Sequence, residues 1–290
     1  MPLDAVVNIL VSGLLTGLVF GLSALGLSAI FGVTRIVNFA HGEMMVLGMY
    51  LALVIFKWTG IAPLVAVPIV GAVLFCVGYA LQASVVNRIL TAPEHMQFLL
   101  LAAVAIILIA LLFIVFGPNA QNVALESAYD SFEIGFLIVD AHRVYAGVGA
   151  LIVSGLLFAF FRFHPLGKAI RACADNLRGA EIVGLDVRHL FALTFGIGAA
   201  CIGAAGCIVL MLVDVHPHLA PSYTLLAFIV VIVGGMGSLS GALVAGALIG
   251  MSEALAGLLL QPSLKSVFSF ALLILVLLLR PQGLLGVKAR

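Results

Sequence analysis

Long apolar runs alternate with short polar stretches along the whole chain. Helix-sized apolar segments fall at 5–32, 43–56, 62–86, 96–116, 144–161, 190–213, 223–236, 239–259 and 264–280. Most reach the roughly 20 residues that cross a hydrocarbon layer. Two are short. The segment 43–56 spans only if residues 33–42 also lie at membrane depth, and 223–236 runs into Gly234-Gly235-Met236-Gly237. The pattern therefore predicts an all-α polytopic membrane protein with eight or nine transmembrane helices, some of them broken. It reads as one transmembrane domain over residues 1–290, with a polar loop or helix at 162–189 inside it.

Composition strengthens this reading. Apolar residues make up 64% and charged residues 9%, against soluble norms of about 45–50% and 25%. Thirty uncharged residues separate Asp4 from Arg35, and Trp58–Asn87 is a second uncharged run of thirty. A net charge of +1 without a basic stripe gives nucleic acid little to bind. Cys76, Cys173, Cys201 and Cys207 form no CxxC pair, so neither a disulfide framework nor a zinc site is signalled. The opening Met-Pro-Leu-Asp lacks the basic start of a secretory signal, so the first run reads as a retained span.

Charge distribution sets an expected orientation. Arg162–Arg188 carries five basic residues and is placed in the cytoplasm. The loop 117–143 has one, Arg143, against Glu126, Asp130, Glu133 and Asp140, and is placed outside. Counting spans then puts the N-terminus, Lys57 and Lys265 outside, and Arg35, Arg88, Arg280, Lys288 and Arg290 inside. Ten of 13 basic residues fall on the cytoplasmic side. A weak internal echo links Ala29-Ile-Phe-Gly32 and its polar break to Val231-Ile-Val-Gly234 and its glycine-rich break. Paired interrupted segments suit a transporter built from repeats around a midplane pathway.

Three stretches could carry chemistry. On a helix after Pro165, Lys168, Arg171, Asp175 and Arg178 share one face, and Leu166, Ile170, Cys173, Leu177 and Ala180 the other. Gly184 can end this helix and Asp186 can cap the next. It reads either as a solvated helix on the membrane surface or as a docking helix for a cytoplasmic partner. In Thr34–Glu43, Asn38 could cap a half-helix, Gly42 could allow a backbone break, and Glu43 would sit at a positive helix start. Together with His41 these groups either satisfy a broken backbone or contact substrate directly. The third stretch, Gly234–Gly241, includes Gly235, Gly237 and Ser238. It shares with Gly196, Ala200 and Ala204 the small residues that let helices pack closely. No P-loop lysine follows any glycine-rich turn, and Leu239 stands where a Gly-x-Ser-x-Gly nucleophile would need Ser. Asp214, His216 and His218 read as a proline-punctuated turn rather than as metal ligands. Neither cofactor nor metal is expected in this chain.

At these residues the chain resembles the permease subunits of branched-chain amino acid ABC importers, of the LivH type. The resemblance covers almost the whole chain. It rests on Val37-Asn-Phe-Ala-His-Gly-Glu43, Gly167-Lys-Ala-Ile-Arg-Ala-Cys-Ala-Asp-Asn176 with Gly184-Leu-Asp186, Gly234-Gly-Met-Gly-Ser-Leu-Ser-Gly241, and Arg280-Pro-Gln-Gly-Leu284. It implies a non-enzymatic subunit of the bacterial inner membrane that pairs with a second, related permease. Two cytoplasmic ATP-binding subunits and an extracytoplasmic substrate-binding protein would complete the system. It also favours the docking reading of 166–184, with Ile170 and Leu177 filling a groove in an ATPase. Leucine, isoleucine and valine are the implied substrates, and related permeases move amides and urea. The competing reading is a self-sufficient secondary transporter. Against it, Glu253 is the one apparent coupling carboxylate within the apolar segments, away from the breaks.

Overall fold

The computed structural model describes residues 3–90, 92–124, 130–135, 137–259 and 265–286. Glu126, Lys288 and Arg290, used above to orient the chain, lie outside them. The helices are α1 (Leu3–Thr34), α2 (His41–Thr59), α3 (Pro63–Ser84), α4 (Glu94–Phe116) and α5 (Ala141–Phe163). They continue as α6 (Pro165–Asp175), α7 (Leu177–Ile182), α8 (Val187–Val209), α9 (Ala220–Gly234), α10 (Leu239–Leu259) and α11 (Lys265–Leu279). Among the described residues eight helices are long and apolar enough to span a membrane, and α11 is shorter. A small antiparallel hairpin, β1 (Ser131–Ile134) and β2 (Leu137–Asp140), precedes α5, with Ser131 opposite Asp140. It turns at Gly135, whose φ is 66°. From its sequence alone, 117–143 reads as a loop. Its acidic composition masked the short alternation of Phe132, Ile134, Leu137 and Val139.

α8 forms the centre of the molecule: 83% of its apolar window is buried, against 17% for α4. Its small residues make this possible, because each brings a neighbouring backbone close. A β-carbon on Gly198 would sit 2.8 Å from the Gly26 carbonyl of α1. One on Gly203 would sit 2.8 Å from Leu74 of α3, and one on Gly206 2.5 Å from the Met45 carbonyl of α2. In lipid, where apolar surface alone drives little association, such close packing supplies the cohesion. The outer helices keep Ile106, Ile107, Ile114, Leu156 and Leu278 exposed, as a lipid-facing surface requires.

The second close crossing, between α1 and α10, went unread in the sequence. Gly13, Gly17 and Gly21 recur every four residues on α1 and meet Gly246, Gly250 and Ala254 on α10. A β-carbon on Gly17 would lie 2.5 Å from the Gly246 carbonyl. The four-residue spacing was visible in the sequence; what paired these two glycine stripes across more than 200 residues was not.

The basic segment departs from the expected single helix. It folds as two, broken at Asn176, which takes an extended conformation (φ −150°, ψ 97°). The Asn176 side chain accepts a 2.9 Å hydrogen bond from the Gly179 N–H and so starts α7 afresh. Gly184, at φ 85°, lies in the turn after α7, and the Asp186 carboxylate caps α8 by accepting from the His189 N–H at 3.1 Å.

Candidate functional site

Two features lie along α9, a broken stretch at 35–40 and a glycine turn at 234–238, while the basic segment packs on α1, α5 and α8. α1 ends at Thr34, whose hydroxyl bonds back to the Ile30 carbonyl at 2.9 Å. Arg35 then takes φ 59°, the only positive φ at a non-glycine among the described residues. The chain turns back into the protein rather than leaving it. Asn38 is fully buried and its side-chain oxygen accepts from the Ala40 N–H at 3.0 Å. It therefore closes a local turn two residues ahead of α2 and does not cap the helix. The N-cap position is held by Ala40, without a side-chain bond. A buried backbone turn must find its partners internally, and here the Asn38 side chain supplies one.

α2 starts at His41, two residues earlier than the hydropathy pattern indicated. Gly42 is consequently inside the first helical turn and is not the break. Its missing side chain serves another end: Ala220 and Thr224 of α9 occupy the space a β-carbon would take. The Thr224 hydroxyl accepts from the Gly42 N–H at 2.9 Å and donates to a Glu43 carboxylate oxygen at 3.4 Å. One hydroxyl thus serves an unpaired helix-start N–H and a buried carboxylate together. Glu43 is 6% exposed and lies in the first turn of α2, where the helix dipole favours negative charge. The His41 ring is completely buried against the Ser23 backbone, with neither ring nitrogen closing a hydrogen bond of good geometry. Ser23 precedes the end of α1 by 11 residues, or about 16 Å at ~1.5 Å per residue, so His41 sits deep in the bundle.

The glycine turn sits at another level. Gly235 (φ 103°) and Gly237 (φ 83°) turn the chain between α9 and α10. The Ser238 hydroxyl caps α10 by accepting from the Gly241 N–H at 3.1 Å. Gly235 is closed over by the backbone of Gly283 and Gly286, because the carboxy-terminal turn folds back on α9. Leu284 and Leu285 donate to the Val233 and Gly234 carbonyls at 2.8 and 3.0 Å. The Arg280–Leu284 motif is therefore a lid on the end of α9. Gly237 faces the opposite way, packed on Gly32 near the end of α1. The first break thus runs along α9, from Gly32 beside Gly237 at its end, past Phe39 beside Phe228, to Gly42 beside Ala220 at its start.

A cavity of about 560 Å³ opens beside Gly237 on the basic face, lined by Ser28, Gly32, Lys168, Arg171 and Asp175 among others. The basic segment forms its rim. Ile170 is fully buried and Cys173 nearly so, because α6 lies across the ends of α1, α5 and α8. Ile170 therefore anchors the segment to its own chain and presents nothing to a partner. Burial, reinforced by the Glu181 carboxylate, pushes the Cys173 thiol above its usual range, so it stays protonated. The outward apolar residues are instead Leu166, Leu177, Ile182 and Val183, the last two 85% and 75% exposed. Lys168, Arg171, Asp175 and Arg178 stand among them. Next to Leu177 runs a groove of about 940 Å³ that also takes in Arg35, Arg88, Arg188 and Glu181.

A family profile described as "Branched-chain amino acid transport system / permease component" matches residues 9–277. The chain belongs to this family. The permease protein LivH of the high-affinity branched-chain amino acid transport system from Escherichia coli is 31% identical, with 95% of this chain and 94% of LivH covered. LivH of Salmonella typhimurium is 30% identical over the same shares, and BraD of Pseudomonas aeruginosa is 28% identical over 96% of this chain and 94% of BraD. No solved structure matches the chain. The family members are transport permeases and not enzymes. The profile spans both breaks and the basic segment.

Proposed function

We propose that this permease is the membrane-spanning subunit of an ATP-driven importer that moves leucine, isoleucine and valine delivered by an extracytoplasmic binding protein. It pairs with a second, related permease in the bacterial inner membrane, and two cytoplasmic ATP-binding subunits drive it. The basic face is then cytoplasmic. The observation that carries this reading is the surface of α6 and α7. Leu177, Ile182 and Val183 are exposed beside a basic groove, on a segment whose inward residues grip three membrane helices. Isolated exposed apolar residues are ordinary, but a contiguous set with a charged rim suits a protein partner. A push on α6 reaches α1, α5 and α8 through Ile170 and Cys173. Asn38, His41, Gly42 and Glu43, with Gly237 and Ser238, flank the passage, and Gly235 supports it from behind. The passage holds its substrate weakly, since release matters more than affinity, and selectivity rests with the binding protein.

Two measurements test this. Purification through a tag on this chain should bring down ATP-binding subunits. Leu177→Asp should reduce their recovery or uncouple ATP hydrolysis from uptake, by about tenfold or more if Leu177 is an anchor, while the permease remains in the membrane. Normal ATP-driven uptake by that variant would remove the docking assignment.

A further inference from the structure

The groove of about 940 Å³ beside Leu177 lies where several helices start or end. Three arginines line it: Arg35 just past α1, Arg88 in the short turn after α3, and Arg188 at the start of α8. Glu181 is the one carboxylate in the lining. Among the described residues, neither the three guanidiniums nor this carboxylate closes an ion pair or a side-chain hydrogen bond. We propose that the groove holds the headgroup of an anionic phospholipid with two phosphates, of the diphosphatidylglycerol kind. The proposal goes beyond the transport reading and needs only that the chain spans a membrane.

Charge is the first argument. Three guanidiniums less one carboxylate leave the groove two positive charges in excess, which two phosphates match. The planar guanidinium fork suits phosphate oxygens, and basic pockets between membrane helices take such headgroups. Glu181 can accept from the hydroxyl of the headgroup glycerol. The arginines are also held in place. The Asn87 side chain donates to the Arg188 carbonyl at 3.1 Å and accepts from the Gln82 amide at 3.0 Å, so the turn carrying Arg88 is tied to the start of α8. Arg35 takes φ 59°, and its N–H donates to the Phe31 carbonyl at 3.0 Å. A phosphate on its guanidinium gives this sparsely populated backbone conformation a second anchor.

Position is the second, and it favours lipid over protein. α1 and α3 end at the groove and α8 begins there, which puts it at the polar edge of the membrane. On α3, Val65, Ile69, Val73, Cys76, Ala80 and Ala83 are all exposed, at steps of three or four residues. They form one apolar stripe along the outside of the helix. Ala83, the last of them, lines the groove, and Val33, Leu90 and Phe191 continue the apolar surface inside. Acyl chains lying on the stripe therefore bring their headgroup to the arginines. Ile182 and Val183 lie outside this lining and stay available to a protein partner.

The test uses the full chain purified in detergent and stripped of lipid. Binding of diphosphatidylglycerol, phosphatidylglycerol and phosphatidylethanolamine is read by native mass spectrometry, and the thermal midpoint is measured with each. Diphosphatidylglycerol should bind saturably and raise the midpoint, phosphatidylglycerol should bind less tightly, and phosphatidylethanolamine about tenfold more weakly or worse. Arg88→Gln and Arg188→Gln should each weaken diphosphatidylglycerol binding about tenfold. Arg162→Gln, on the same basic face but outside the groove, should not. Ala83→Trp fills the mouth without removing a charge; it should weaken binding likewise, and it serves if the arginine variants fail to fold. Equal binding of diphosphatidylglycerol and phosphatidylethanolamine, an equal loss from Arg162→Gln, or undiminished binding in the groove variants would overturn the site. Stabilisation by inorganic phosphate equal to that by lipid would do the same, by making it a free-anion site. Loss of co-purifying ATP-binding subunits from the arginine variants, with lipid binding intact, would give the groove to that partner instead.

Discussion

At the scale of single residues, Thr224 decides more than its position in an apolar helix suggests. Its hydroxyl serves the Gly42 N–H and the Glu43 carboxylate, two groups that lipid could not satisfy. Thr224→Val keeps the shape and removes both bonds, leaving a buried donor and a buried carboxylate short of partners. The expected cost is about 1–3 kcal/mol, read as a lower thermal midpoint in detergent, and Thr224→Ser should restore most of it. An unchanged midpoint in the valine variant would show that neither bond matters. Asn38 teaches a related lesson: a residue suited to capping α2 instead folds the turn before it, because Ala40 and His41 begin the helix earlier.

At the scale of elements, what matters is where a glycine faces another helix. Gly17 lies in the α1–α10 crossing, where a β-carbon would meet the Gly246 carbonyl at 2.5 Å and Ala247 Cα at 2.9 Å. Gly155 lies on α5 with nothing within 4 Å of the same atom. The same substitution should therefore act in opposite directions. Gly17→Ala forces the helices apart and should destabilise by about 1–3 kcal/mol. Gly155→Ala should leave stability unchanged or raise it by up to about 1 kcal/mol through helix propensity. Thermal aggregation midpoints of the two variants check this, and equal midpoints would mean that the crossing is looser than drawn. The basic segment shows the same dependence on surroundings. Its amphipathic spacing was legible, but which apolar residues faced inward was not, since Ile170 goes to the core while Leu166 and Leu177 stay outside.

For the whole molecule, the arrangement has consequences for energy supply. The chain carries no P-loop sequence, and its buried carboxylate at Glu43 is held by Thr224 rather than placed in a chain of ionisable groups. Reconstituted alone, it should therefore accumulate no leucine under an imposed proton or sodium gradient, as measured by radiolabel uptake into vesicles. Gradient-driven accumulation by the lone chain would favour a secondary transporter instead.

The sequence by itself determined the membrane class, the approximate spans and the existence of both breaks. Lipid leaves the backbone so few options that hydropathy and glycine punctuation nearly dictate them. The spacing of Lys168, Arg171 and Arg178 likewise made the basic segment legible as an amphipathic element, and Ser238 lay in the polar break where α10 starts. Only the tertiary structure decided that Thr224 meets Gly42 and that Gly17 meets Gly246. Each of these pairs joins residues more than 100 positions apart on apolar helices whose sequences favour many pairings almost equally. Hydrophobicity drives the helices into the membrane but does not choose their neighbours there. That choice rests on the fit of small residues and the placing of a few polar atoms, and these act only once the helices are in contact.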